Sequence, residues 1–266
     1  MGGGESIRAG EHRNFHLRNF SGAFSLIAGD AVDAVIDDGW DLGPDLAQKR
    51  KAILMGLPGD NSFYCRLVFG RPLNEEENAE WIAKATGSLS IKDGGLLVCS
   101  GFDPDLLEDW KSNQDELDES VYWFDLPPAD YAVDIYTHRP AMAGRYLEKS
   151  WPTPLGPWFR ASYPGEKIPS WMAMEFLYTT GASEEFAQVK KAAQENKDPL
   201  DGVYNGAIGY LIHINKGESA GQITQPSVDG FIGYETGARI PAQCPRGLIS
   251  ELEDFNLKTF VEGIAD

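Results

Sequence analysis

Basic side chains are scarce in this 266-residue sequence: 23 lysines and arginines stand against 41 aspartates and glutamates, a formal charge of −18. A surface of that sign repels phosphate backbones and anionic lipid, so nucleic acid and membranes are not expected partners, whereas a basic protein is. Cysteine is nearly absent as well. Cys65, Cys99 and Cys244 are an odd number, far apart, with no CxxC pair. That argues against a disulfide framework or a structural zinc site and suits a reducing compartment. No stretch approaches the roughly 18 apolar residues of a membrane span, and Met1-Gly-Gly-Gly-Glu-Ser-Ile-Arg has no apolar leader core. Met1-Gly2 with Ser6 fits a myristoylation start in outline only. The expectation is a soluble cytoplasmic protein.

Signatures of catalysis are missing too. There is no G-x-S-x-G, so the strained nucleophile elbow of many hydrolases is lacking. No HxH or HExxH occurs, and Gly2-Gly-Gly has neither a preceding strand nor a following Lys-Ser or Lys-Thr to cradle phosphate. Of four histidines, His12 and His16 fall near an expected loose end, His138 follows a strand, and His213 sits in Tyr210-Leu-Ile-His-Ile as a core or face residue. Cys65 and Cys99 lie in apolar strand text and read as packing residues. Cys244 precedes Pro245-Arg246-Gly247 at an expected helix start. There a helix dipole and Arg246 would activate the thiol; the competing reading is a plain loop cysteine. Carboxylate pairs for glycoside hydrolysis arise by chance among 41 acids. No catalytic residue, cofactor or metal ligand is assigned.

What the chain does have is apolar material for a core: 42% hydrophobic and 11% aromatic residues. Short strand-like runs separated by turn signals fill the first half. They are Phe15, Leu17 and Phe20, then Phe24 to Ile27, then 52–57 and 63–69, with Phe63, Cys65, Leu67 and Phe69 on one face. Pro58-Gly-Asp-Asn reads as a turn. A short amphipathic element is expected within 73–85, a hairpin over 89–99 turning at Asp93-Gly94, and a last strand pair at 121–124 and 131–136. Six prolines interleaved with Trp151, Trp158 and Phe159 make 139–170 a linker or extended wrap that packs on something. Beyond it come an alternating strand at 172–178, a helix from Ser183 to about Asn196, strands at 204–214 and 228–234, and a short helix at 248–252.

The expected fold is therefore mixed and β-rich: a loose lead-in at 1–14, a β-sandwich at 15–138, the linker at 139–170, and a smaller α+β domain at 171–266. Charge is uneven across it. Residues 1–150 hold 14 basic and 26 acidic side chains, and 151–266 hold 9 and 15. A turn-rich stretch at 30–45 carries six carboxylates and no basic residue. From Asp103 to Asp134 there are eleven carboxylates and one cation, Lys111. Asp103, Asp105, Glu108, Asp109, Asp115, Glu116, Asp118 and Glu119 surround Trp110 in what reads as an acidic loop. A solvated charge run is the plain account. The sharper one is a docking surface for a basic protein, with Trp110 as apolar anchor. Asp103-Pro-Asp-Leu-Leu-Glu lacks the glycine and alternating oxygens of a calcium loop.

The order of pieces in the first half resembles the competence J family, bacterial β-sandwich proteins that inhibit a cognate nuclease. The resemblance lies in a Phe-containing strand from Phe20 to Ile27, the acidic Asp37-Asp-Gly-Trp, the buried strand at 52–57, and Phe124-Asp-Leu-Pro-Pro-Ala-Asp-Tyr-Ala-Val. Ala129 stands where the family usually has glycine, and the intervening loops are longer. The likeness is confined to residues 15–140. It implies the sandwich and an inhibitory role, and transfers no individual contact residue. The expected function is an immunity or inhibitor protein that neutralises a basic toxin or nuclease. The alternatives are a hydrolase-type enzyme with its site in the Pro-rich aromatic segment between domains, and a structural or assembly protein.

Overall fold

A computed structural model describes residues 5–19, 21–58, 62–112, 119–139, 142, 155–172, 187, 191, 205–218, 221–234, 238–253 and 258–259. The architecture is mixed α/β and strand-rich, with two sheets. One sheet has the order β1 (Glu5–Ser6), β8 (Val121–Asp125), β7 (Leu96–Ser100), β3 (Ala23–Ala28), β4 (Ala52–Gly56), β11 (Phe231–Ile232). The other runs β2 (His12–Leu17), β5 (Phe63–Phe69), β10 (Asn205–Lys216), β9 (Ala129–Thr137), β6 (Ala83–Ile91), with β12 (Ile249–Glu253) added against β10. No helix among the described residues is long and apolar enough to cross a membrane.

The period-2 pattern explains why the sheets meet. Phe24, Leu26, Ile53, Met55, Leu96, Val98 and Phe124 from the first sheet share one buried cluster with Phe15, Leu17, Phe63, Cys65, Leu67, Phe69, Val133, Ile135 and Ile212 from the second. The other faces are covered as well. Ile27, Leu54, Leu97 and Val121 pack beneath α1 (Val32–Asp38), α2 (Gly43–Gln48) and α4 (Pro104–Ser112). Val68, Tyr136, Ile208 and Leu211 pack with Leu73 and Trp81, which flank α3 (Glu75–Ala79). With both faces covered, β3 and β7 are buried at every position and are apolar apart from Ser25 and Ser100.

Several expectations change. The expected hairpin over 89–99 is a crossing between sheets: β6 pairs with β9, and β7 with β3 and β8. Asp93-Gly94 does turn, with Gly94 at φ +80°, but both flanking strands send their apolar residues into the shared core from opposite sides. Gly95 must be glycine, because a Cβ there would lie 2.2 Å from the Phe124 carbonyl oxygen. The expected strand pair at 121–136 is likewise split, β8 in one sheet and β9 in the other, around a Pro127-Pro128 corner. Tyr131 fixes that corner, its buried hydroxyl donating to the Pro127 carbonyl at 2.5 Å.

The chain is already paired within the expected lead-in, where β1 runs parallel to β8 and β2 antiparallel to β5. The stretch at 30–45 is largely helical rather than turn-rich, with Val32 and Val35 buried from α1 and Leu46 from α2. In the expected linker, Leu155–Ser162 is a helix, α5, whose Trp158 and Phe159 pack with Ile168, Trp171, Met172, Ala207 and Cys244. The expected helix at 248–252 is strand β12, and only Phe231 and Ile232 of the expected strand at 228–234 form a ladder. The expected strand at 172–178 and the turn at 58–61 fall largely outside the described residues; Ala187 and Lys191, within the expected helix at 183–196, are helical. Residues beyond 170 supply β10 to the middle of one sheet, between β5 and β9, and β11 to the edge of the other.

Candidate functional site

Helix α1 presents Val32, Val35 and Ile36 to the first sheet, which turns Asp33, Asp37 and Asp38 to solvent. It ends at Gly39, whose φ of +67° breaks the helix. The next residues form a 3-10 turn, Gly39–Leu42, with Asp41 exposed. Helix α4 is built the same way. Asp103 Oδ1 accepts the Asp105 amide at 3.0 Å, and Pro104 starts the helix without needing a donor. Leu106, Leu107 and Trp110 pack on the sheet while Asp105, Glu108 and Asp109 face water. The stretch expected to be an acidic loop is thus, over 104–112, an amphipathic helix.

The two helices lie side by side. A Cβ on Gly39 would touch Pro104 Cγ at 3.3 Å, and Lys111 Nζ crosses from α4 to Asp33 at 2.6 Å. The Asp33 hydrogen bond and charge, with a smaller push from Asp37, hold the Lys111 ammonium above its usual pKa. Asp33, Asp37, Asp38, Asp41, Asp103, Asp105, Glu108 and Asp109 are all exposed on these two neighbouring helices and the residues flanking them, and Lys111 bridges the helices through Asp33. Sequence reasoning left the α1 acids out of the site. Their signal was the run of six carboxylates without a basic residue, but nothing in it says which other helix lies beside it.

Trp110 is half-buried rather than free. Its ring stacks on Trp123 with centroids 5.8 Å apart and planes 23° apart, and Trp123 Nε1 donates to Asp125 at 2.9 Å. Gly29, Gly94 and Gly95 lie against the Trp123 ring, so a side chain at Gly29 would strike it at 2.6 Å. The Trp110 ring is thus packed against the first sheet beside Trp123. Glu119 goes elsewhere. Its carboxylate meets His16 Nδ1 at 2.9 Å and Arg18 at 4.0 Å, at the end of β2. Asp115, Glu116 and Asp118 lie outside the described residues.

Most of the other chemistry-bearing side chains are buried, with His12 and His16 partly exposed. His12 and His16 are strand residues of β2, not part of a loose end. His213 Nε2 meets the Arg71 carbonyl at 2.7 Å. His138 is fully buried, its Nε2 donating to the Glu77 carbonyl at 3.0 Å, and burial pushes it down to about 4. All three thiols are free and buried. Burial pushes Cys99 and Cys244 up to about 12, helped by Asp103 and Glu80 respectively, so the activated reading of Cys244 is overturned. Glu77, fully buried, takes two hydrogen bonds from Arg71 at 2.7 and 2.8 Å and faces Arg66 at 3.5 Å. Burial pulls its pKa upward, but Arg71, the Asn74 amide and Arg66 together hold it below the usual value. This network pins α3 to β5. No group of three metal-ligating side chains occurs among the described residues.

No protein-family model matches the chain, and no curated protein matches it in sequence. Among solved structures it is similar to "Crocagin biosynthetic gene J", at 13% identity and a TM-score of 0.41, over 78% of this chain and 98% of that one. It is also similar to ComJ, "inhibitor of the DNA degrading activity of NucA, from Bacillus subtilis", at 17% identity and a TM-score of 0.30. That likeness covers 49% of this chain and 84% of ComJ. It is a likeness of one segment, as the resemblance over residues 15–140 also was.

Proposed function

We propose that the protein is a cytoplasmic inhibitor or immunity-type protein that binds a basic toxin or nuclease through the carboxylate face of α1 and α4. The observation that carries this reading is the placement of two acidic segments, more than sixty residues apart in the chain, as neighbouring helices on one sheet. Gathering like charges raises the energy of the isolated fold, since solubility is served as well by dispersed charge. A cationic surface laid against the face would reverse that repulsion and speed encounter. Trp110, fixed by its stack on Trp123, supplies the apolar contact. Asp115, Glu116 and Asp118 continue the acidic run in sequence, and the face as a whole presents carboxylates where a nuclease expects phosphate. ComJ's target is a nuclease by ComJ's own description; for this chain a nuclease is one member of a class defined by charge.

The test begins with capture of partners from the native host at low and high salt, since a charge-steered complex weakens as salt rises. With the partner in hand, Asp105, Glu108 and Asp109 are changed together to Lys, and Asp33, Asp37 and Asp38 likewise in a second variant. Each set is expected to weaken binding by at least about 100-fold, as close charge pairs across an interface couple by a few kcal/mol. A measured affinity unchanged by both sets would remove α1 and α4 from the interface.

A further inference from the structure

Two arginines of this chain show how it seats a guanidinium. Arg239 Cζ lies 3.6 Å from the centroid of the Trp81 ring, and its N–H groups donate to the carbonyls of Asn78, Ala79 and Trp81. Arg246 Cζ lies 4.2 Å from the centroid of the Tyr163 ring while the same guanidinium donates to Glu166 at 2.9 Å. A planar, weakly hydrated guanidinium can stack on a π-face and still offer its in-plane N–H groups to oxygens at the rim. An ammonium is less suited to both at once: Lys84 Nζ, paired with Asp134 at 3.1 Å, stays 5.4 Å from the Tyr136 centroid.

Trp110 has the aromatic ring and the carboxylates of that arrangement. Its ring stacks on Trp123, which in turn lies against Gly29, Gly94 and Gly95, and Trp110 keeps part of its surface in solvent. Asp105, Glu108 and Asp109 of the same helix are exposed, and Asp125, also exposed, accepts from Trp123 Nε1 at 2.9 Å. Lys111, the next residue along the chain, is committed to Asp33 at 2.6 Å. Among the described residues no arginine or lysine lies over the Trp110 ring.

We propose that Trp110 seats an arginine side chain of the protein partner, the guanidinium stacking on the indole and donating to the exposed carboxylates of α4. The inference rests on the reading of α1 and α4 as the surface for a basic partner, and it adds the chemistry of the contact: the partner meets Trp110 with arginine rather than lysine. Charge attracts the two cations alike, so Trp110 is where the surface tells them apart.

The experiment measures binding of two probes of equal length and charge, hexa-arginine and hexalysine, by titration calorimetry at low ionic strength, with far-UV circular dichroism as the check on folding. Wild type is expected to prefer hexa-arginine by at least about 5-fold. W110L, which keeps apolar bulk without a π-face, is expected to lower that ratio at least about 3-fold while binding hexalysine as wild type does, and W110F to keep more of the preference than W110L. Wild type without a preference overturns the proposal, as does W110L with the wild-type preference intact or W110F no better than W110L. D105K/E108K/D109K separates this failure from that of the acidic surface. It is expected to weaken both peptides; if it leaves both unchanged, the acidic surface is refuted and the seat with it, whereas weakened binding with no effect of W110L removes the arginine seat alone. Should W110L not fold, NMR on wild type decides. Nuclear Overhauser contacts between the arginine δ-methylene protons of bound hexa-arginine and the Trp110 indole are expected, and their absence at saturation overturns the seat.

Discussion

His138 offers a quantitative check on the core at the outer face of the second sheet. The imidazole follows β9, is fully buried, and donates from Nε2 to a backbone carbonyl, which can only accept. The proton therefore sits on Nε2. Nδ1 is buried and bonds to no other group, so taking a second proton there would place a charge in a dry site beside Arg66 and Arg239. Burial is the main reason its pKa falls from 6.5 to about 4, with those arginines adding to the fall while Glu77 and its carbonyl oppose it. In the unfolded chain the same side chain titrates at its usual 6.5. Above that value neither state binds the proton and the group is neutral in its effect. As pH falls through 6.5 the unfolded state gains the proton first, so stability declines until the folded value is passed. The full difference is about 3 kcal/mol, of which about 2 kcal/mol is lost between pH 7.5 and pH 5. The assay is urea unfolding at those two pH values for wild type and for His138→Gln, which keeps a donor for the Glu77 carbonyl and cannot titrate. Wild type is expected to lose about 2 kcal/mol more than the variant over that interval. Equal losses would refute the buried neutral imidazole.

Four further outcomes follow from the same packing. Gly95→Ala drives a methyl into the Phe124 carbonyl, and is expected to cost at least about 3 kcal/mol in denaturant unfolding, because backbone rather than a side chain must yield. Arg71→Ala leaves the buried Glu77 carboxylate without its two shortest hydrogen bonds, a loss of about 3–5 kcal/mol; Arg71→Met with Glu77→Met, which removes both charges, is expected to be milder. Because the folded pKa of Glu77 is held low, its contribution is present above its unfolded value and disappears as pH falls through the folded one, so Glu77→Gln flattens the acid limb of the stability curve. Cys65, Cys99 and Cys244 are expected to resist an aromatic disulfide reagent at pH 8 until denaturant is added, and rapid reaction of Cys244 in the native protein would restore the activated reading.

The sequence by itself determined the charge of the molecule, the apolar strands and most of their facing. Phe63, Cys65, Leu67 and Phe69 are buried together because side chains alternate across a strand whatever lies beyond it. Acidic runs were equally visible, since charge is a property of composition. Partnership between strands was not. Asp93-Gly94 and Pro127-Pro128 have the chemistry of tight turns, and local chemistry is the same whether the next strand doubles back in its own sheet or crosses to the facing one; the shared core decided for the crossing. Helix was misread as turn or loop at 30–45 and 103–112 because each helix is short and carries its few apolar residues on one narrow stripe, whose meaning appears only when a sheet is there to receive it. The same dependence on distant packing hid the acidic face. Asp33 and Lys111 are 78 positions apart, and no pattern along the chain announces that α1 and α4 are neighbours. Charge was written in the sequence; its concentration onto one surface was decided by which helices the first sheet holds side by side.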